Sequence, residues 1–246
     1  MSTSQAMGRT PTVRPFSLQD NAMRRYMLRD DLSFCRIGER LVFLDVGNDR
    51  YFRLPSAQEH SLLAYLAQDP VSELEIDDLV ERGLLVERSQ ATAGPQPSVI
   101  PVARSAMEMS IPAQRPHLSD KLEVLALVLS TRLVLKRSPL SRVLGSLSAG
   151  AQRKRAQQSS VAPLEQRLTD AASVFRHARV WVPVEMRCLL DSVALARFLR
   201  RRQLDARIVF GVALDPFSAH CWVQAGDLVL NDTVGNVHAH TPIRVV

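Results

Sequence analysis

The sequence is poor in the features that mark exported, membrane-spanning or zinc-binding proteins. It has three cysteines in 246 residues and no CxxC pair, which argues against a zinc site built on cysteines. Its N-terminal stretch, MSTSQAMGRT, lacks the apolar core of a secretory signal. The longest apolar run, Leu122–Leu135, contains Glu123 and Arg132 and is too short and too charged to span a bilayer. These absences predict a soluble, globular protein of the reducing cytoplasm, with free thiols and no metal site.

Acidic residues are missing from a long central stretch of this basic chain. From Val124 to Leu164 there are seven basic residues and no acidic ones, whereas Ser17 to Arg88 carries fourteen acidic and nine basic residues, a net charge of −5. Because the whole chain has a net charge of +6, the remainder carries +11. A basic balance fits either nucleic-acid binding or a solvated helical face. No aromatic residue interleaves the central basic residues, so we expect no nucleic-acid partner.

Short β-type runs dominate the N-terminal part. Three runs rich in β-branched and aromatic residues predict a small antiparallel sheet within residues 32–54: LSFCRI, RLVFLDV and RYFRL. Gly38-Glu39 and Gly47-Asn48-Asp49 fit the tight turns between them. One helix is predicted after Pro55 and a second from about Ser72 to Arg82. This order of three strands and two helices has the size of a winged-helix unit.

Proline punctuates the chain after this unit. Five of the fourteen prolines fall between Ser89 and Pro116, a composition typical of an extended linker, across which few packing contacts are expected. The sequence therefore predicts an α+β fold with one domain at 17–88, a linker at 89–117 and a second domain at 118–246.

The second domain begins with apolar residues at helical spacing. This spacing predicts three helices, at about 119–136, 138–147 and 161–178. The first is apolar on most faces and is interpreted as a buried helix, with an amphipathic helix at a membrane surface as the alternative. We expect no contact with a membrane.

The C-terminal end holds the candidate chemistry. Cys188 opens a predicted helix, and three predicted strands follow: ARIVFGVAL, AHCWVQ and DLVLND. Ala225-Gly226 is a hairpin turn between the last two strands. His220 and Asp232 flank that hairpin and are expected to face one another across the ladder.

A thiol, an imidazole and a carboxylate in this arrangement can form a cysteine-dependent catalytic site. A helix N-terminus and a nearby imidazolium lower the pKa of a thiol, and a carboxylate behind the imidazole orients it. We interpret Cys188 as the nucleophile, His220 as the base and Asp232 as the orienting group; the alternative is that all three pack or cap without chemistry. Cys221 is expected to point away from the site, because adjacent strand residues alternate between faces. The pair His238 and His240 has no further ligands near it in sequence, so no metal is expected there.

The C-terminal segment closely resembles the catalytic segment of the lasso-peptide maturation proteases, a transglutaminase-like branch of the papain-type cysteine proteases. The resemblance covers about fifty contiguous residues and rests on the motif order R-C-L, F-G-V, A-H-x-W-V and N-D. These motifs stand at Arg187–Leu189, Phe210–Val212, Ala219–Val223 and Asn231-Asp232. The resemblance implies a cysteine protease with the triad Cys188, His220 and Asp232.

Two positions depart from the family pattern. Cys221 stands where alanine is usual and Gln224 where glutamate is common. Neither departure falls on the three implied catalytic positions.

The N-terminal unit is similar, in topology and in the segment DRYFRLP, to the precursor-recognition domain that these proteases carry. The resemblance implies that a leader peptide adds as a strand beside Arg50–Leu54 and lies against the last helix of the unit. The residues implied for leader binding are Arg50, Tyr51, Phe52, Arg53, Leu54, Asp78 and Leu79. Independently, an edge strand offers unpaired backbone groups to an extended peptide. A DNA-reading helix is disfavoured because it would present four carboxylates to phosphates: Glu75, Asp77, Asp78 and Glu81.

The two resemblances together imply a fused, two-module leader peptidase. It would cleave the leader from a ribosomally made lasso-peptide precursor, and a partner cyclase resembling asparagine synthetase would close the macrolactam. The family's reaction is ATP-dependent in the presence of that partner, yet this chain has no GxxxxGK[ST] loop and we expect it to bind no cofactor itself. Two alternatives stay open: an acyl-transferring transglutaminase and a non-catalytic peptide-binding chaperone of the precursor.

Overall fold

The structure, a computed structural model, describes residues 25–87, 99–109, 116–151 and 163–246. These residues form the mixed α+β architecture that the sequence predicts. The strands found in these ranges are β1 (Tyr26–Leu28), β2 (Leu32–Ile37), β3 (Arg40–Asp45), β4 (Arg50–Phe52), β5 (Leu85–Glu87), β6 (Arg104–Ser105), β7 (Arg207–Ala213), β8 (Ser218–Ala225), β9 (Leu228–Val229) and β10 (Thr241–Val245). The helices found there are α1 (Ser56–Ala67), α2 (Glu73–Glu81), α3 (Leu118–Arg137), α4 (Leu140–Ala151), α5 (Leu164–Arg179), α6 (Cys188–Arg201) and α7 (Val234–His238).

Three antiparallel strands, β2, β3 and β4, form the N-terminal sheet, with β3 in the middle. Residues of β3 alternate between the two faces. Leu41 and Phe43 pack with α1 and α2, whereas Val42 and Leu44 belong to a core shared with the C-terminal half of the chain. Phe43 stacks on Phe52 of β4 with ring centroids 5.2 Å apart. The three strands predicted within residues 32–54 are confirmed.

Local signals set the limits of α2. The Ser72 hydroxyl accepts from the backbone N–H of Glu75, and the Glu75 carboxylate accepts from the backbone N–H of Ser72 at 3.1 Å, so the helix begins with a capping box. Gly83 adopts a φ of +66°, a left-handed conformation that glycine adopts with little strain, just after α2 ends. The chain then enters β5, which pairs antiparallel with β1, a pairing that the sequence did not predict.

Five strands form the C-terminal sheet in the order β10-β7-β8-β9-β6. The antiparallel pair β7 and β8 lies at its centre, and α6 packs against β8 while α3 and α5 cover the other side of α6. Helix α6 is therefore the central helix of this half, and its first residue lies beside the sheet. No helix within the described ranges is both long and apolar enough to cross a membrane.

The two halves pack against each other. Cys35, Val42 and Leu44 of the N-terminal sheet lie in the same hydrophobic core as α3, α6 and β7. Arg244 of β10 donates to the Ser33 hydroxyl at 2.9 Å and to the carbonyl oxygen of Asp30 at 3.1 Å. The expectation of few contacts between the halves is wrong, because one face of the N-terminal sheet is apolar and is buried against β10 and its neighbours.

Part of the predicted linker belongs to the C-terminal sheet. Within 89–117, residues 99–109 are described, and they include β6, which pairs in parallel with β9 at the edge of the sheet. Val102 is 6% exposed and packs in the core beneath Trp222. This stretch is therefore structural as well as connecting. Its strand is only two residues long, too short for a sequence pattern to show.

Candidate active site

Cys188 is the first residue of α6, and its side chain is exposed. Asp191, one turn into the helix, accepts a hydrogen bond from the backbone N–H of Arg187 at 3.1 Å and so caps this end of α6. Leu190 and Val193, on either side of Asp191 in sequence, anchor the helix in the core. The positive end of the helix dipole therefore lies at the thiol, where it favours the thiolate.

Asp191 is held in turn by Arg179, the last residue of α5. Arg179 is 4% exposed, and its Nε donates to Asp191 Oδ1 at 2.6 Å. Its terminal nitrogens donate to the carbonyl oxygens of Val182 at 3.3 Å, Val184 at 3.0 Å and Glu185 at 3.2 Å. These carbonyls belong to the segment that leads into Cys188, so one buried guanidinium fixes that segment against the start of α6. Nothing in the local sequence distinguishes Arg179 from the less buried arginines of α5, Arg167 and Arg176.

His220 lies in β8 on the face that also carries Trp222, and the two rings are 6.2 Å apart. Gly211 of β7 is opposite His220 in the ladder. A Cβ at Gly211 would lie 2.8 Å from the Trp222 ring and 3.0 Å from Cβ of His240. Glycine at this position therefore lets Trp222 approach the sheet closely and support the imidazole from beneath.

Asp232 receives hydrogen bonds from three neighbours. Its Oδ2 is hydrogen-bonded to Nε2 of His220. Asn236 Nδ2 donates to both carboxylate oxygens at 3.0 Å, and the backbone N–H of Thr233 donates to Oδ1 at 2.8 Å. Burial acts to raise the pKa of Asp232, but the hydrogen bonds from His220, Asn236 and Thr233 outweigh it, and the pKa is lowered.

The route by which the chain brings Asp232 to His220 differs from the prediction. The pairing of β8 with β9 ends at Gln224 and Val229, so Asp232 is not a partner of His220 in the ladder. The side chain of Asn231 replaces the ladder: its Oδ1 accepts from the backbone N–H of Val223 at 2.7 Å. Its Nδ2 donates to the hydroxyl of Ser192 in α6 at 3.0 Å. Asn231 thus ties the segment that carries Asp232 to the helix that carries Cys188.

The thiol and the imidazole stabilise each other's charged forms. Hydrogen bonds from Cys221 and His220 lower the pKa of Cys188 to about 4. The hydrogen bond to Asp232, with a further one to Cys188, raises the pKa of His220 to about 9. At neutral pH the pair is therefore a thiolate and an imidazolium, with the carboxylate of Asp232 behind the ring. A thiolate of this kind can attack a carbonyl carbon, and the imidazolium can protonate a leaving amine.

The sequence predicts that Cys221 points away from the site. The structure differs, because Cys221 lies beside Cys188. Alternation along β8 holds, because Cys221 packs in the core beside α6 whereas His220 shares the face of Trp222. The start of α6, however, lies within reach of both side chains, and Cys221 hydrogen-bonds to Cys188. This hydrogen bond and, after it, burial raise the pKa of Cys221, so it is the protonated partner of the two thiols.

Asn236 is a site residue that the sequence analysis missed. It lies in α7, four residues after Asp232, where Thr233 caps the helix by accepting from the Asn236 N–H at 3.3 Å. Its Nδ2 contacts His220 Nε2 at 3.3 Å as well as the carboxylate of Asp232. The sequence does contain a signal for this role: Asn236 follows Asp232 by one helical turn, and Thr233 between them is a residue type that often caps a helix.

The two C-terminal histidines have separate partners. Nε2 of His238 contacts the carbonyl oxygen of Val102 at 2.8 Å. The ring of His240 lies 5.2 Å from that of His220, and its Nε2 contacts the hydroxyl of Ser218 at 3.1 Å. The described residues contain no group of three or more side chains placed to hold a metal ion.

The residues predicted to bind a leader peptide occupy three different surroundings. Four of them line a cleft of about 250 Å³ between β4 and the end of α2: Arg50, Phe52, Arg53 and Leu54. Asp78 accepts a hydrogen bond at 2.9 Å from Gln58, which also lines the cleft. Tyr51 points to the other face of the sheet, and Leu79 is fully buried in the core, so neither lines this cleft.

Comparison with known proteins bears on the C-terminal half. Residues 125–245 match the family model described as the Transglutaminase-like superfamily, and that range includes Cys188, His220 and Asp232. The chain contains a transglutaminase-like domain. A stretch of 45 residues is 49% identical to the Microcin J25-processing protein McjB of Escherichia coli; it covers 18% of this chain and 22% of that protein. The match thus spans about a fifth of that relative's length. No solved structure matches the chain.

Proposed function

We propose that this protein is a cysteine peptidase that cleaves the leader from a ribosomally made lasso-peptide precursor. The observation that carries the proposal is the exposed thiol of Cys188, ionised at neutral pH beside an imidazolium that Asp232 holds. The similarity of 45 residues to a Microcin J25-processing protein supports the choice of substrate class. The match to the Transglutaminase-like superfamily supports thiol-dependent acyl chemistry.

In the proposed reaction the thiolate of Cys188 attacks the carbonyl carbon of the scissile peptide bond. The imidazolium of His220 donates its proton to the leaving amine, which departs as the N-terminus of the core peptide. Water then attacks the thioester, with the neutral imidazole accepting its proton, and the leader leaves as a carboxylic acid. Asp232 holds the ring in the orientation that both proton transfers need.

We place the leader beside β4. This strand is an edge of the N-terminal sheet in the described part of the chain, so an extended peptide can pair with it. Gln58 lines the neighbouring cleft, and its Oε1 is buried with no hydrogen-bond partner among the described residues. If the Gln58 side chain turned towards the cleft, a peptide N–H bound there would satisfy that oxygen.

Tyr51 links this binding strand to the candidate active site. Its ring packs edge-on against Phe217 with centroids 5.8 Å apart. Burial raises the pKa of Tyr51, and Coulombic repulsion from the ionised forms of Cys221 and Cys188 raises it further, so the hydroxyl lies near both thiols. A precursor bound along β4 would therefore have a short path to Cys188. The freed core peptide would pass to a partner cyclase resembling asparagine synthetase, and any ATP requirement would belong to that partner.

The decisive experiment searches the reading frames beside the gene for a short precursor peptide, and then incubates the full chain with that peptide, with and without an asparagine-synthetase-like cyclase and ATP. We expect mass spectrometry to show a free leader with a carboxylate at its C-terminus. Cys188→Ala should release none. If the Cys188→Ala variant still bound the precursor and supported its maturation as well as the unsubstituted chain, the protein would instead be a peptide-binding chaperone.

Leader binding can be tested separately by titrating a fluorescent leader peptide. Arg53→Glu should weaken binding because Arg53 lines the cleft, whereas Arg40→Glu, an exposed arginine of the same sheet outside the cleft, should not. Equal affinities for both variants would remove the cleft from the proposal.

Acyl transfer to an amine is the second candidate, favoured by the match to the Transglutaminase-like superfamily. It would use the same thioester but resolve it with an amine instead of water. Adding a primary amine in excess separates the two, since hydrolysis gives a leader acid and transfer gives a leader amide.

A further inference from the structure

Two thiols meet at the start of α6. Ser192 lies four residues after Cys188 on the same face of the helix, and its hydroxyl donates to the carbonyl oxygen of Cys221 at 3.1 Å. This contact places the first two turns of α6 against β8 near Cys221. The side chains of Cys188 and Cys221 share a hydrogen bond there.

The two thiols have complementary properties. Cys188 is exposed and ionised, so a dissolved oxidant can reach a reactive sulfur. Cys221 is 3% exposed, so it meets Cys188 before it meets anything in solution. A low-pKa, accessible cysteine beside a second, resolving cysteine is the arrangement in which oxidation ends in a disulfide. The third thiol, Cys35, is buried in the N-terminal sheet, and burial raises its pKa to about 12, which makes it an internal control.

We propose that Cys188 and Cys221 form a site of reversible oxidation by hydroperoxides, at which Cys221 closes a disulfide onto Cys188. In the first step the Cys188 thiolate attacks one oxygen of hydrogen peroxide. The S–O bond forms as the O–O bond breaks, hydroxide leaves and takes up a proton, and the sulfur loses two electrons to become a sulfenic acid. In the second step the sulfur of Cys221 attacks that of Cys188. The S–S bond forms, the S–O bond breaks, and the hydroxide leaves as water with the proton of Cys221.

The first step prepares the second. The hydrogen bond with Cys188 is the largest of the influences that keep the pKa of Cys221 high. Once Cys188 is a neutral sulfenic acid, its negative charge no longer opposes ionisation of Cys221. Burial of Cys221 persists, and it keeps further peroxide away from the resolving sulfur. A dithiol reductant then restores both thiols by exchange, at the cost of its own oxidation to a disulfide.

An alanine at position 221 could not perform the second step. A Cys221→Ala chain would hold the sulfenic acid of Cys188 with no partner, and further peroxide would carry it to sulfinic and sulfonic acids, which a dithiol does not reverse. Oxidation of this pair of thiols does not depend on which peptide Cys188 cleaves.

The test treats the full chain with hydrogen peroxide and reads intact mass, followed by peptide mapping without reduction. We expect a loss of about 2 Da and a cross-linked pair of peptides containing Cys188 and Cys221, both reversed by dithiothreitol. Cys35→Ala should give the same cross-link. Cys221→Ala should instead gain about 32 or 48 Da on the Cys188 peptide, and dithiothreitol should not remove it.

Three outcomes would overturn the proposal: oxygen added to Cys188 in the unsubstituted chain without a cross-link, a cross-link to Cys35, or a disulfide between two chains. The mapping on the unsubstituted chain decides the matter even if Cys221→Ala fails to fold. Because the readout is mass and not cleavage, a failure here leaves the proposed peptidase untouched, and the reverse also holds.

Discussion

The N-terminal sheet and the segment that follows the C-terminal strand β9 each hold a carboxylate between an asparagine and a cation; Asp45 is buried and Asp232 is partly buried. Asp45 of the N-terminal sheet is 1% exposed and accepts from Arg29 Nη2 at 2.8 Å, from the Asn48 backbone N–H at 3.1 Å and from Asn48 Nδ2 at 2.8 Å. Asp232 accepts from Asn236 Nδ2 at 3.0 Å and is hydrogen-bonded to His220. In both clusters burial acts to raise the carboxyl pKa, and hydrogen bonds outweigh it and lower the pKa.

The two clusters differ in the cation that is paired with the carboxylate. The guanidinium of Arg29 keeps its charge at every working pH, so the Asp45 cluster has no proton to exchange and closes a turn of the sheet. The imidazole of His220 can gain and lose a proton, and its other side meets an exposed thiolate. The same carboxylate geometry therefore stabilises structure in one sheet and can support chemistry in the other. A buried Asp–Asn contact is not evidence of a catalytic site until its third partner is known.

The largest expected effect comes from removing the thiol of Cys188, which has no counterpart in the Asp45 cluster. Cys188→Ala should lower the rate of leader cleavage by a factor on the order of 10⁴ or more, since loss of the nucleophile in a well-studied serine protease costs about 2 × 10⁶ in turnover. Cys35→Ala is the matched control, because it removes a thiol from the N-terminal sheet and should leave the rate unchanged. Cleavage by Cys188→Ala at a tenth of the parent rate would exclude Cys188 as the nucleophile.

The most direct test of the comparison replaces each aspartate by asparagine. Asp232→Asn should lower turnover by about 10²–10⁴, as loss of the orienting carboxylate does in a serine triad. Asp45→Asn should instead lower the free energy of unfolding by about 1–3 kcal/mol, because it removes the buried charge that pairs with Arg29 Nη2 and leaves Asp31 as the carboxylate partner of that guanidinium, while the folded protein keeps its turnover. Urea denaturation and steady-state kinetics on both variants measure the two effects. Equal losses of turnover would show that Asp45 and Asp232 do not differ in their contribution to catalysis.

Elements defined by local pattern were predictable from the sequence. Strands β2, β3 and β4 follow from runs of β-branched and aromatic residues between tight turns, and α6 begins at Cys188 as predicted. Elements defined by distant partners were not predictable. Strand β10 contains Pro242 and a register shift between Pro242 and Arg244, so its pattern is irregular. Its pairing with β7 depends on a strand about thirty residues away in sequence.

The same division holds within the candidate site. Cys188, His220 and Asp232 stand out because their residue types and order carry the chemistry. Arg179 acts through contacts with three carbonyls and one carboxylate, and no sequence pattern announces such a role. Cys221 was misplaced because alternation along a strand tells which face a side chain takes, but not which end of a helix lies against that face.

A moderate effect is expected on the pH dependence of Cys188. The reaction of Cys188 with iodoacetamide should be fast above a pH of about 4, where the thiol is ionised. Peptide cleavage should slow down above a pH of about 9, where His220 loses the proton that the leaving amine needs. Cys221→Ala removes the hydrogen bond that contributes most to the low pKa of Cys188, so the acid limb should move to higher pH. Cys35→Ala should leave both limbs in place. An acid limb that does not move in Cys221→Ala would mean that the two thiols are not in contact.

The smallest effect, and the finest test, concerns Tyr51, which belongs to the N-terminal sheet but points towards the C-terminal cluster. Its hydroxyl stays neutral because its pKa is raised, so Tyr51→Phe should change cleavage by less than about twofold, within the range of ordinary neutral substitutions. Tyr51→Ala removes the ring contact with Phe217, worth about 0.5–1.5 kcal/mol, and should slow precursor cleavage by about twofold to twelvefold. Reaction of Cys188 with iodoacetamide should be the same in both variants, since a small reagent needs no docking on β4. If Tyr51→Ala slowed iodoacetamide and the precursor alike, Tyr51 would act on the thiol itself. If it slowed neither, the N-terminal sheet would take no part in delivering a peptide to Cys188, and the path from β4 to the thiol would have to be abandoned.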